Sequence, residues 1–109
     1  MTRDVLEIPV GPDDHYLGRA DAPVVLIEYG DFECPHCGRA HAAVREVLEA
    51  MGDDVRFIFR NFPLIEKHPH AQAAAEAAEA VAARGGNDAY WDMHDILFAN
   101  QDALEPDDL

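Results

Sequence analysis

A change of hydrophobic period at one place in the chain constrains the fold more than any other feature. Residues 24–29 are a nearly continuous run of β-branched and apolar side chains, which predicts a strand buried on both faces, as in a parallel sheet. Residues 35–51 instead follow a helical period, and Gly52 suits the end of that helix. Residues 55–60 alternate as a second strand, so these three elements are predicted to form a β-α-β unit.

The chain has two cysteines, and both lie at the turn between the first strand and the helix, as Cys34-Pro35-His36-Cys37. Two cysteines cannot cross-link a domain in the way that six or eight do, so their chemistry is local. A thiol at a helix N-terminus faces free backbone N–H groups and the positive end of the helix dipole, which favour its thiolate. This position predicts a reactive Cys34.

The other residues of this motif are expected to tune that reactivity. Pro35 suits the first helical position, and His36, if protonated or donating a hydrogen bond, further stabilises the Cys34 thiolate. A stabilised thiolate stabilises the reduced form, so the disulfide becomes the stronger oxidant. Cys37 lies one turn into the helix, and we expect it to be the more buried cysteine and the resolving thiol.

Three acids near the motif have opposite expected effects. Glu28 lies within the apolar strand, where burial raises the pKa of a carboxyl group and lets it exchange protons with the thiols. Its structural alternative is a position at the strand end, solvated or paired with an arginine. Glu33 beside Cys34 disfavours the thiolate, and Asp31 does the same if it lies near.

Two other readings of the cysteine pair stay open. Cys-x-x-Cys is also half of a zinc site, in which Cys34, Cys37 and His41 supply three ligands and His68 or His70 a fourth. The β-α-β context and the absence of a second cysteine pair favour redox chemistry. The remaining alternative is a redox-sensing or partner-binding domain that keeps the fold without turnover.

The rest of the chain is predicted to be mostly helical. Pro69 is expected to begin an alanine-rich helix that ends at Gly85-Gly86, and Asn87 or Asp88 to cap the next helix. The final residues, 102–109, have the pattern of another helix start. Towards the N-terminus, the sequence predicts an edge strand over residues 5–10, a turn over residues 11–14 and a loop over residues 18–23. We expect His41 on a helix surface, His68 and His70 in solvent, and His94 in the core.

Composition limits the class of partner. The 109 residues form a single domain at most, with 22 Asp and Glu against eight Lys and Arg and a net charge of −14, so nucleic acid and anionic membrane surfaces are disfavoured. The longest apolar run, residues 22–27, is too short to insert in a bilayer. No secretory signal is visible in residues 1–20, which predicts a cytoplasmic location, or a periplasmic or other extracytoplasmic one if a leader has been removed. We expect no cofactor.

Several motifs together resemble the DsbA-like thiol:disulfide oxidoreductases of the thioredoxin superfamily. Residues 29–37, Tyr-Gly-Asp-Phe-Glu-Cys-Pro-His-Cys, carry the resemblance, and it extends to residues 59–64, His68-Pro69 and residues 91–98. The resemblance implies an α/β, thioredoxin-like fold in which residues 24–60 form the first β-α-β unit.

The same resemblance implies roles for the site and a place for the second half of the chain. Residues 69–109 would be part of an inserted helical domain. Cys34 would be the attacking cysteine, Cys37 the resolving one and Glu28 the buried strand acid of the family. Substrates would be proteins or small molecules that contain thiols or disulfides, with an unidentified redox partner for recycling.

The chain departs from the family at its end. The family continues with further helices, a β-hairpin preceded by a cis-proline, and a final helix; neither Pro63 nor Pro69 matches that proline by position. Two or three strands leave sheet edges unpaired, so we expect either a piece of a longer domain or strands supplied by a second copy, through a homodimer or strand exchange.

Overall fold

The computed structural model describes residues 9–105 and 108–109 and contains the predicted β-α-β unit. Strand β2, Val24–Gly30, runs parallel to β3, Val55–Asn61, in a register that pairs Val24 with Val55 and Gly30 with Asn61. Helix α1, Pro35–Met51, makes the crossover between them. The fold is therefore thioredoxin-like and α/β, as predicted, and the described residues include a small sheet of three strands.

Local sequence signals place both ends of α1 where they were predicted. Pro35 occupies the first turn, where its missing N–H costs no hydrogen bond. Gly52 follows the last residue with a φ of 53°, and its N–H donates to the Leu48 carbonyl. That positive φ suits glycine, so the helix ends there and a single 3-10 turn leads into β3.

The third strand was not predicted from the sequence. Strand β1, His15–Leu17, pairs antiparallel with β3, so that the sheet order is β1-β3-β2. The predicted edge strand over residues 5–10 falls mostly outside the described residues, and its last two residues, Pro9 and Val10, are not in a strand. The turn before β1 and the loop after it are as predicted.

Helix α2, Ala71–Ala99, is interrupted once. Gly86 has φ 82° and ψ −163°, outside the helical region, so the predicted break at the paired glycines is confirmed. The predicted start was wrong by two residues, because Pro69 lies in a turn in which the His68 carbonyl accepts the Ala71 N–H. No helix in the described part of the chain combines the length and apolar character needed to cross a bilayer.

The core lies between the sheet and the aromatic half of α2. It includes residues of β3, the second half of α2 and the segments beside them, among them Phe32, Phe57, Phe59, Tyr90, Trp91, Leu97, Phe98 and Leu104. The prediction that β2 is buried on both faces was wrong. Val24, Val25 and Tyr29 are nearly half exposed, because in the described residues β2 is an edge strand that pairs only with β3.

Candidate active site

Cys34 lies at the N-cap of α1. Its backbone is extended, with φ −71° and ψ 122°, and its carbonyl accepts the Gly38 N–H at 3.0 Å. Among the described residues, no side-chain hydrogen bond caps this end of the helix, so its first-turn N–H groups leave the positive end of the dipole beside the cysteine. The residue is buried, with 8% of its surface exposed.

Cys37 lies one turn further along α1, and both cysteines are free thiols. Burial raises the pKa of the Cys37 thiol to about 11, and a hydrogen bond and negative charge from Cys34 add to the shift, whereas the Asp31 backbone N–H opposes it. Cys37 is therefore a weaker acid than an ordinary cysteine.

The expected order of burial was wrong. Cys34 is buried and Cys37 is only half-buried. The segment after α2 contacts this turn: the side-chain amide of Gln101 donates to the carbonyls of Phe32 and Cys34, at 3.0 and 2.9 Å. The contact with Cys34 joins residues 67 positions apart in the chain, so no local pattern predicted it.

Gly38 provides the space for Gln101. A Cβ at Gly38 would lie 2.5 Å from the Gln101 side-chain oxygen, a distance that requires one of the two to move. The glycine inside the first turns of α1 is therefore explained by the close approach of this amide to the cysteine turn.

His36 is exposed and points to a partner on its own helix. Its Nδ1 lies 2.6 Å from Nη2 of Arg39. A guanidinium group only donates hydrogen bonds, so Nδ1 accepts, and the proton of the neutral ring is on Nε2. The i, i+3 spacing of the pair is the sequence signal that could have identified this contact. Pro35 is exposed beside His36.

Glu28 is half-buried on β2, where it pairs in register with Phe59. Burial raises its pKa, as the sequence predicted. The alternative of an arginine partner is not supported, because none of the ion pairs among the described residues includes Glu28. Its charge also raises the pKa of Cys37, so the carboxyl group is close enough to the resolving thiol to affect it.

Asp31 and Glu33 are engaged with the segment between β3 and α2. The buried Asp31 carboxylate accepts hydrogen bonds from the Glu33 N–H, the Leu64 N–H and His68 Nδ1, each at 2.8 Å. Glu33 accepts the N–H of His70 at 2.8 Å. The expectation that His68 is solvated was therefore wrong, because its ring satisfies a buried carboxylate.

Exposed apolar side chains lie on β2 and on the segment that follows β3. Phe62 and Ile65 are each 58% exposed, and Leu64 between them is held by the Asp31 hydrogen bond. Tyr29 contacts Phe62 edge-on, with ring centroids 6.4 Å apart. We call Tyr29, Phe62, Leu64 and Ile65 the apolar rim.

The structure does not assemble the ligand set of the zinc alternative. Within the described residues, ligand atoms converge in one group of three, His41, His94 and Asp95, which contains no cysteine. His94 is a core residue, as predicted. His41 is not simply on the surface, because its ring stacks on Phe98 at 5.1 Å and meets that of His94 at 5.3 Å.

Comparison with known sequences gives the family of the chain. Residues 11–108 match the family described as Thioredoxin. A curated relative from Salinispora tropica, the Na(+)/H(+) antiporter NhaA 3, is 54% identical over 105 residues, which are 95% of this chain and 16% of that protein. The chain thus spans about a sixth of the length of this relative.

Solved structures show which known folds this chain resembles. Pseudomonas aeruginosa DsbA2 superposes with a TM-score of 0.73 at 29% identity, over 84% of this chain and 50% of that chain. Oxidised BdbD from Bacillus subtilis superposes with a TM-score of 0.70 at 32% identity, with the same two coverages. With its Cys-x-x-Cys at the N-terminus of the crossover helix, the chain belongs to the thioredoxin family and is DsbA-like within it.

Proposed function

We propose that this chain is a thiol:disulfide oxidoreductase that exchanges a Cys34–Cys37 disulfide with substrate thiols. The observation that carries the proposal is the placement of the pair: Cys34 is the N-cap residue of α1, and Cys37 lies one turn along the same helix, where burial raises its pKa to about 11. One thiol is thus suited to attack and to leave as a thiolate, and the other to remain protonated until it is needed.

In the oxidising direction, a substrate thiolate attacks Sγ of Cys34. The new substrate–Cys34 bond forms as the Cys34–Cys37 bond breaks, and the electron pair leaves on Sγ of Cys37, which takes up a proton. A second substrate thiolate then attacks the substrate sulfur of the mixed disulfide and releases Cys34 as a thiolate. Two electrons have passed from the substrate to the chain, and an external disulfide oxidant must remove them to complete the cycle.

Glu28 is the proposed proton donor and acceptor for Cys37. A thiol with a pKa of about 11 is a poor leaving group as a bare thiolate. Glu28 has a raised pKa and lies near this sulfur, so it stays protonated to a higher pH than an ordinary glutamate and supplies the proton as the bond breaks. In the reverse direction its carboxylate takes the proton from Cys37.

The apolar rim supports a protein or peptide substrate. Its side chains are exposed next to the turn that carries the cysteines, and exposed apolar surface of this kind binds apolar segments of a partner.

The cellular compartment determines the direction of electron flow. Net disulfide donation requires an oxidising, extracytoplasmic location, whereas in a reducing cytoplasm the couple would be held as the dithiol.

The test is equilibration with reduced and oxidised glutathione, followed by turnover of a dithiol peptide. We expect a Cys34–Cys37 disulfide that the peptide reduces. Cys34→Ser should abolish turnover, whereas the matched variant Cys37→Ser should accumulate a mixed disulfide on Cys34. Turnover retained by Cys34→Ser, or no 34–37 disulfide in excess oxidised glutathione, would overturn the assignment.

A second candidate is a redox-sensing domain without turnover, and the antiporter relative is the observation that favours it. A segment 54% identical to this chain forms part of a protein named as a Na(+)/H(+) antiporter, a context in which one slow exchange could signal redox state to a linked domain. Reversible oxidation by glutathione combined with negligible peptide turnover would favour this candidate over the catalytic one.

A further inference from the structure

A second group of side chains with converging ligand atoms lies between α1 and α2, apart from the cysteines. It consists of His41 on α1 and His94 and Asp95 on α2, and their ligand atoms lie within 4.8 Å of one another. Nδ1 of His94 is 3.0 Å from Oδ1 of Asp95, and Nε2 of His41 is 3.8 Å from the same oxygen. One nitrogen of each histidine thus approaches the same oxygen of Asp95.

His94 has an unsatisfied polar atom that packing does not explain. Its side chain is 3% exposed, and its Nε2 has no hydrogen-bond partner in the part of the chain that the structure describes. If Nδ1 carries the proton and donates it to Asp95, the Nε2 lone pair is buried without a donor, in a ring that packs against Phe59 and Trp91. If Nε2 carries the proton, the Nδ1 lone pair faces a carboxylate at 3.0 Å, which is repulsive.

A cation between Nδ1 and Asp95 removes this conflict. The Nδ1 lone pair and the carboxylate would both bind it, and the Nε2–H would face aromatic rings, which accept weak hydrogen bonds. We propose that His41, His94 and Asp95 bind one first-row divalent transition-metal ion such as Zn²⁺, at a site separate from the redox cysteines.

The donor set determines the class of ion. Two imidazoles and one carboxylate suit zinc, copper, nickel or iron, whereas magnesium and calcium prefer oxygen ligands throughout. The group opens into a cleft of about 200 Å³ that leaves room for a water as fourth ligand.

The charges around the cleft are mixed. Glu49 lines the same cleft and adds negative charge, while the guanidinium of Arg45 lies 3.8 Å from Oδ2 of Asp95. Arg45 contacts the carboxylate oxygen opposite the one on which the histidines converge, so the ion and the guanidinium use different oxygens. An ion bound here would link α1 to α2, one helical turn beyond Cys37.

The experiment uses the Cys34→Ser/Cys37→Ser variant, because the thiols would themselves bind zinc. Titration calorimetry should show one Zn²⁺ per chain, and Co²⁺ should give a tetrahedral visible spectrum without a thiolate charge-transfer band. In this background Asp95→Asn and His41→Phe should each lower the affinity at least tenfold, since both keep the shape of the replaced side chain. His36→Phe, at an exposed histidine, is the matched control and should leave the affinity unchanged.

A thermal-unfolding series supplies a second readout. Zn²⁺ should raise the Tm of the double cysteine variant, and the increase should disappear in Asp95→Asn. The proposal is overturned if no saturable binding occurs, if Asp95→Asn and His41→Phe bind as tightly as the parent, or if His36→Phe loses the site. Equal, weak binding by all variants would mean that ions associate only with the acidic surface.

Discussion

Asp31→Ala is expected to be among the most destabilising single substitutions near the site. The carboxylate is 2% exposed and accepts three hydrogen bonds. Two of its donors are the backbone N–H groups of Glu33 and Leu64, which would be left without this acceptor. A buried donor without a partner costs about 1–3 kcal/mol, and the lost His68 contact adds about 1 kcal/mol. The two donors and the His68 contact together give an expected decrease in the free energy of unfolding of about 3–7 kcal/mol.

Urea denaturation at neutral pH, monitored through the single tryptophan and by circular dichroism, measures this decrease. Asp31→Asn keeps one acceptor oxygen but replaces the other with an NH₂ group, which cannot accept a hydrogen bond. This variant should therefore lose roughly half as much stability as Asp31→Ala. His68→Ala removes one contact and should cost about 1–2 kcal/mol. The exposed Asp92→Ala is the matched control, with an expected change within about 0.5 kcal/mol.

The pattern of these variants tests the reasoning more strictly than any single value. A loss below about 1 kcal/mol for Asp31→Ala would show that water or a rearranged loop satisfies the two backbone donors. A His68→Ala effect as large as that of Asp31→Ala would also contradict the account, since it would put the energy in the ion pair rather than in the backbone contacts.

Three further predictions concern the site and the core. Glu28→Gln should slow the reduction of the disulfide by a dithiol peptide and remove the part of its pH dependence that is due to this carboxyl; an unchanged rate–pH profile would rule out the proton-transfer role. His36→Pro should make the couple more reducing, measured as its equilibrium with glutathione, and no shift would contradict the role given to His36. Burial lowers the pKa of His94 to about 4, so the unfolded chain binds the extra proton first as pH falls below about 6.5. In chelator-treated buffer the native state should lose about 3 kcal/mol between pH 6.5 and pH 4 through this group, and His94→Phe should lack that part of the pH dependence of urea unfolding.

The elements that could be predicted are those whose signals are local. The bounds of α1 follow from Pro35 and Gly52, and the break in α2 from Gly86, because each of these residues acts on its own backbone. Strand β1 could not be found in this way. It is three residues long, and the Tyr16 carbonyl in it accepts from Nε1 of Trp91 at 2.9 Å, a contact across 75 positions.

The candidate site likewise has some features that nearby residues predict and others that depend on distant contacts. The position of Cys34 at the helix start and the burial of Glu28 followed from neighbouring residues. The relative burial of the two cysteines and the contact of Gln101 with the turn did not, because that contact joins residues 67 positions apart. The exposure of β2 was also mispredicted, since an apolar run shows that a strand is suited to burial without showing which neighbours cover it.

The acids of the cysteine turn pose a question that the sequence alone could not answer. Two carboxylates within three residues of Cys34 should disfavour its thiolate. In the structure, Asp31 is directed to donors of the segment after β3, and Glu33 to the His70 N–H at the start of α2. Each carboxylate is thus held by hydrogen bonds that fix the turn. The same acids that looked unfavourable for catalysis therefore serve to preorganise the N-cap at which Cys34 is proposed to react.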